Sequence, residues 1–306
     1  MAMVSLQNLT KTYDKGRITA VDSVSLDVSA GELFGLIGPD GAGKTTLFRM
    51  LTTLLLPDSG TATVDNFDIV RDYRQIRNHV GYMPGKFSLY QDLTVEENLH
   101  FFATLFGTTI EENYHLIKDI YVQIEPFKDR RAGKLSGGMK QKLALSCALI
   151  HKPGVLFLDE PTTGVDPVSR KEFWEMLKRL KQQGITMLVS TPYMDEATLC
   201  DRIALIQGGK ILAIETPENI VKQYPENLYA VRVKAMQRLL PDLRMYDNTL
   251  SCFTFGEYLH LSFKEDNPEA TPELKRYLQS RDHTEVELLP ITPTIEDCFI
   301  RLLKQS

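Results

Sequence analysis

The sequence predicts an α/β fold organised around a phosphate-binding loop, interrupted by a helical insert and followed by a small C-terminal α+β unit. Three observations predict it. Apolar strand-like runs alternate with helical patterns over the first two-thirds of the chain, and a glycine-rich loop joins one such strand to one such helix. From about Glu226 the pattern changes to short alternating strands. A chain of 306 residues has room for two domains, expected at 1–225 and 226–306, with the insert at about 92–150.

Taken in order, VSLQNL (4–9) and ELFGLIG (32–38) read as strands, and 45–56, 94–106 and 168–182 carry helical spacing. VLFLD (155–159) and ITMLVS (185–190) are short continuous apolar runs, the pattern of central strands covered on both faces. Residues 92–124 read as helical without strands. The tail reads LYAVRVK, a helical AMQRLL, then TLSCFTFG and EYLHLSFK, a helical TPELKRYLQS, the strand TEVELLP and a closing helix, a βαββαβ pattern.

Composition bounds the function. Hydrophobic residues at 43% and charged residues at 25% are ordinary for folded, water-soluble chains. With Lys plus Arg at 35 against Asp plus Glu at 40, bulk charge gives no grip on nucleic acid, and no nucleic-acid partner is expected. Cys147, Cys200, Cys252 and Cys298 form no CxxC pair, so buried, reduced thiols in a cytosolic protein are expected rather than a zinc or redox site. The longest charge-free apolar stretch, 98–110, falls short of the roughly 18 residues a membrane span needs. Any membrane role must come through partners.

The loop Gly38-Pro39-Asp40-Gly41-Ala42-Gly43-Lys44-Thr45, followed by Thr46, fits GxxxxGK[ST] between an apolar strand and a helix. Its glycines let backbone N–H groups face phosphate oxygens while the helix directs its positive end at the same anion. Lys44 is placed to reach the β and γ phosphates, and Thr45 to hold Mg²⁺. VLFLDEP supplies the complementary strand, with Asp159 emerging to bind Mg²⁺ and Glu160 placed to orient and deprotonate a water. Acidic pairs at strand ends also serve as helix caps.

Leu135-Ser136-Gly137-Gly138-Met139-Lys140-Gln141, 18 residues before Asp159, resembles the signature of the ATP-binding cassette (ABC) family, and Ser136 to Gly138 open a helix whose N–H groups suit a phosphate. The resemblance implies head-to-tail pairing with a second cassette, each ATP lying between one phosphate loop and the other subunit's signature. It also implies adenine stacking on Tyr13, a D-loop role for Asp166 in Gly164-Val165-Asp166, and contact of the stretch 87–98 with membrane permease subunits. The wording GELFGLIGPDGAGKTT, YMDEA and CDRIALI, with the tail PTIEDCF (293–299), is similar to ATPase subunits of bacterial drug and polysaccharide exporters. Such a subunit is expected in the cytoplasm, on the inner face of the membrane.

Two positions depart from the family. Gly85 stands in the slot of a glutamine and Pro192 in that of a histidine; no histidine lies between His151 and His260. Thr191 is expected to cap a helix with Pro192 at its first position. The alternatives to an exporter subunit are a non-catalytic cassette that ATP only clamps into a dimer, or a soluble ABC protein acting on ribosomes or DNA.

Overall fold

The computed structural model describes residues 2–304, which divide into two compact units at Pro217/Glu218. In the first unit a six-stranded sheet runs in the order Lys210–Glu215, Arg202–Gln207, Leu33–Ile37, Thr186–Thr191, Val155–Asp159, Val80–Met83. All but the first of these strands are parallel. Leu33–Ile37 and Val155–Asp159 are buried at every residue, which is what continuous apolar runs achieve when both faces of a sheet are covered. A four-stranded antiparallel sheet, in the order Ile18–Ser29, Ala2–Tyr13, Ser59–Val64, Phe67–Asp68, shares its core with the first. Phe48, from the helix Lys44–Leu51, meets Phe157 edge-on at 5.5 Å at the centre of that core.

The insert forms as its caps require. Thr94 and Thr109 each close a capping box, with Glu97 and Glu112, and start the helices Val95–Leu105 and Ile110–Tyr121. Ser136 caps the helix Gly137–Leu149.

The second unit, Glu218–Lys304, holds an antiparallel sheet in the order Thr249–Phe255, Tyr258–Phe263, Leu228–Arg232, Glu287–Ile291. With the helices Leu239–Met245 and Ala270–Ser280 this is the βαββαβ order. The segment from Glu218 is tied into this unit. Cys298 Sγ donates to Ile220 O at 3.5 Å, and Arg301 pairs with Glu226 at 2.7 Å. All four cysteines are buried and unpaired.

The expectation for Pro192 is corrected. Thr191 remains in its strand, and the helical turn Met194–Leu199 begins two residues after Pro192. The Thr191 hydroxyl accepts the Tyr193 N–H at 3.1 Å and donates to the buried Glu196 carboxylate, so it is occupied before any helix can use it.

The closing helix Ile295–Leu303 is capped by Thr294 and Asp297, and Asp297 also contacts His260 at 2.8 Å. Burial alone raises the Asp297 carboxyl, but the bonds from His260 and Thr294 outweigh it and hold it below the usual carboxylate range. A depressed folded-state pKa gives stability that is present above the unfolded value and lost as pH falls through the folded one. Asp297→Ala is therefore expected to cost about 1 to 3 kcal/mol at neutral pH. In urea denaturation the difference between variant and unaltered chain should shrink as pH drops below 3.8.

Candidate functional site

The phosphate loop leaves the C-terminal end of the buried strand Leu33–Ile37 and enters the helix Lys44–Leu51. Gly38 and Ala42 are buried, Pro39 half-buried, and Asp40 and Gly41 exposed. Gly43 has φ of 105°, and a Cβ there would stand 2.1 Å from Ala20 O. No other residue fits this turn.

Lys44 is 3% exposed, yet its ammonium is fully engaged. It donates to Gly38 O at 2.8 Å and Pro39 O at 3.0 Å, and pairs with Glu160 Oε1 at 3.1 Å. A buried cation demands such partners. Next to it, Thr45 Oγ1 donates to Asp159 Oδ1 at 3.1 Å, and Ser190 Oγ donates to the same oxygen at 2.6 Å. The Tyr82 hydroxyl stands 3.5 Å from Asp159 Oδ2. Burial, helped by the Asp159 charge, pushes this phenol up to about 12, so it stays a protonated donor. Glu160 sits at φ 50°, a left-handed conformation held by its N–H donating to both Ser190 O and Ser190 Oγ at 3.0 Å.

The structure thus brings the loop from Gly38 to Thr46 together with Asp159, Glu160 and Tyr13. The Tyr13 ring is 38% exposed, its hydroxyl 3.4 Å from Thr46 Oγ1. Ser136, Gly137 and Gly138 form a separate element. Ser136 Oγ accepts the Met139 N–H at 3.4 Å, and Ser136 and Gly137 face solvent. Asp166 also faces solvent and caps the helix Pro167–Gln182, accepting N–H groups from Val168 and Ser169 at 3.1 and 3.0 Å. The Ser169 and Val168 N–H groups hold its carboxyl below the usual range. No hydrogen bond of these four residues reaches the phosphate loop among the described residues.

Sequence reasoning missed several residues. Ser190 pairs in register with Asp159 on the neighbouring strand, and Tyr82 comes from the strand on the other side. The buried Glu196 gathers Thr162 at 2.8 Å, Thr191, and Arg170 Nε at 3.1 Å, fixing the loop that carries Pro192. The YMDEA wording was the available signal for Glu196; nothing local marks Ser190.

These donors suit a hard divalent ion and a polyphosphate. A hydroxyl and a carboxylate converge at Thr45 and Asp159, and no cluster of three or more His, Cys, Asp or Glu exists among the described residues. Such a pair completes an ion's shell only with phosphate and water oxygens, as Mg²⁺ prefers.

A family model described as ABC transporter matches residues 21–163. The Nod factor export ATP-binding protein I of Rhizobium sp. (strain N33) is 34% identical, over 98% of this chain and 96% of that protein. The chain belongs to the ABC transporter ATP-binding proteins. The probable multidrug ABC transporter ATP-binding protein YbhF of Escherichia coli (strain K12) is 40% identical over 99% of this chain, which spans 52% of that protein. The chain thus covers about half the length of this relative. Among solved structures, the dimeric ATP-binding cassette MJ0796 bound to ADP and Pi superposes with a TM-score of 0.63 at 28% identity, covering 70% of this chain and 98% of that one. Clostridium perfringens cbiO1, part of the cbiONQ transporter complex, gives 0.65 at 26% identity, over 72% of this chain and 91% of that one.

The Gly43 geometry generates a prediction. Gly43→Ala forces either the Ala20 carbonyl or the loop to move, at about 1.4 kcal/mol or more, so ATP affinity should fall at least about ten-fold in a fluorescent-nucleotide titration.

Proposed function

We propose that this cassette is the ATP-binding subunit of an exporter, binding MgATP between two cassettes to drive separate membrane subunits from the cytoplasmic face. The observation that carries the reading is the convergence of Lys44, Thr45, Asp159 and Glu160 at one phosphate loop. The export in the name of the Nod factor relative supports its direction. Among the described residues no helix is long and apolar enough to cross a membrane, so the transport path is assigned to partners.

ATP is the substrate. Loop N–H groups from Gly38 to Thr46 bind its phosphates, and Tyr13 lies beside Thr46, where its ring is free to stack on the base. The arriving γ-phosphate competes with Glu160 for the Lys44 ammonium. Once released, Glu160 is free to accept a proton from water. Thr45 Oγ1 and Asp159 would hold Mg²⁺, which supplies neutralising charge to the β and γ phosphates. The exposed N-terminus of Gly137–Leu149, led by Ser136, closes on the nucleotide of the opposing cassette, with Asp166 at the same seam.

Gly85 and Pro192 favour slow turnover at this chain's own site. One preorganised donor lost at a developing anion costs about 2.7 to 4 kcal/mol, about 10² to 10³ in rate. The intact signature then completes a faster site on a better-equipped partner, which predicts a heterodimer. Purified chain should turn ATP over slowly, and Glu160→Gln should slow it at least about ten-fold further with ATP retained. Lys44→Ala should lose retention. Brisk turnover by the unaltered chain would show both missing groups dispensable, whereas ATP-driven dimerisation with no turnover would mark a nucleotide clamp.

The docking surface proposed for the permease is a groove of about 550 Å³ lined by Arg49, Leu54, Arg77, Leu89, Phe102 and Phe106. Its Ser88 and Leu89 belong to the stretch 87–98, and Leu54 is 57% exposed. A groove open to solvent that joins apolar side chains with two arginines is a surface that an amphipathic partner helix covers. Leu54→Asp should reduce co-purification of the membrane subunit at least about ten-fold while leaving ATP affinity within about two-fold.

A further inference from the structure

The strand Ala2–Tyr13 ends on the ring that the proposed function sets beneath the base, and its last residues are held differently from the rest. On one side it pairs with Ile18–Ser29 as far as Tyr13 against Ile18. On the other side its ladder with Ser59–Val64 stops at Thr10 against Ser59. Beyond that point Asp58, the residue before Ser59, takes over. Its N–H donates to Thr10 O at 2.9 Å. Its Oδ2 accepts the Thr12 N–H at 2.6 Å and the Thr12 hydroxyl at 2.8 Å, and its Oδ1 pairs with Lys11 Nζ at 2.6 Å. Immediately after Tyr13 the chain leaves the strand through Asp14 and Lys15, both left-handed at φ 50° and 55°.

An aspartate side chain 39% exposed is ordinarily solvated, but here the chain takes both of its oxygens. The Lys11 ammonium, then the Thr12 N–H and hydroxyl, hold the Asp58 carboxyl down to about 2, so it is a charged acceptor at neutral pH. Such a carboxylate does for a strand end what a neighbouring strand does elsewhere: it satisfies the N–H and fixes the peptide. The peptide it fixes lies one residue ahead of Tyr13. Asp58 itself sits in the loop that leaves the helix Lys44–Leu51, whose first turn carries Thr45 and Thr46. It therefore ties the ring to the helix that the phosphate loop enters. The Tyr13 hydroxyl, 3.4 Å from Thr46 Oγ1, is the second tie. We propose that Asp58 is a positioning residue for nucleotide binding, holding Tyr13 at the distance from the phosphate loop at which its ring meets the base. The loop binds phosphates by its own N–H groups, so Asp58 acts on ligands that carry a base and not on bare phosphate chains. This rests on the reading of Tyr13 given above.

The test uses full-length chain carrying Asp58→Ala, with Tyr13→Ala and the double variant as references. Asp58→Asn, which keeps one acceptor for the Thr12 N–H, is a second variant. Kd is measured by calorimetry for MgATP and for magnesium tripolyphosphate, which has the phosphates but no base. A base stacked on an aromatic ring contributes about 5- to 140-fold in affinity, so Asp58→Ala should raise ATP Kd at least about five-fold. Tripolyphosphate Kd should stay within about two-fold, and Asp58→Ala should add less than about two-fold to ATP Kd once Tyr13 is alanine. Unchanged ATP Kd in Asp58→Ala overturns the inference. So does an equal loss for both ligands, which marks a role in shaping the phosphate loop, and so does full additivity in the double variant, which marks an effect that bypasses the ring. If Asp58→Ala does not fold, Asp58→Asn carries the same comparison with the same outcomes. If Tyr13→Ala weakens ATP binding while Asp58→Ala does not, only this inference falls. If Tyr13→Ala leaves ATP Kd unchanged, the reading of Tyr13 falls with it.

Discussion

A buried ammonium that must be satisfied in the absence of ligand and yet remain available to one is the constraint on which this site depends. Lys44 meets it with two backbone carbonyls of its own loop and one carboxylate. The carbonyls belong to the turn that Gly43 alone permits. The carboxylate is the exchangeable partner. Because it belongs to Glu160, the proposed function makes binding of an anion at the loop and release of the base one event.

The parallel sheet makes this geometry possible. Val155–Asp159 lies between Val80–Met83 and Thr186–Thr191, so the carboxylate at its C-terminal end receives hydroxyls from both neighbours, Tyr82 on one side and Ser190 on the other. Thr45 approaches from the loop that follows Leu33–Ile37, one strand further along. Ser190 does a second job, since its carbonyl and hydroxyl both accept the Glu160 N–H and hold that residue in its left-handed conformation. The orientation of the base thus depends on a side chain in another strand.

What was legible in the sequence divides along the same line. The loop from Gly38 to Thr46, the VLFLDEP strand and the Ser136 cap are local: spacing and residue type determine them, and the structure places them where the pattern predicts. Ser190 and Tyr82 reach Asp159 through strand register, which a single sequence does not display. Pro192 shows the cost of purely local reasoning. A threonine followed by proline reads as a helix start, but Glu196, four residues beyond the proline, captures the Thr191 hydroxyl together with Thr162 and Arg170. The second unit's elements were legible from their alternation, whereas the bond of Ile220 to the closing helix was not.

The division between binding and chemistry follows from where the family pattern is kept and where it is broken. Lys44, Thr45 and Asp159, which the proposed function places on the phosphates in the ground state, are all present with satisfied geometry. The resemblance implies that Gly85 and Pro192 stand where other cassettes place groups near the reacting γ-phosphate, and interactions made only in the transition state change rate without changing occupancy. On the proposed reading, a cassette altered in this way would spend longer in its ATP-bound form for each molecule consumed. If the mechanical step is dimer closure, as proposed above, that would be a longer power stroke rather than a lost one.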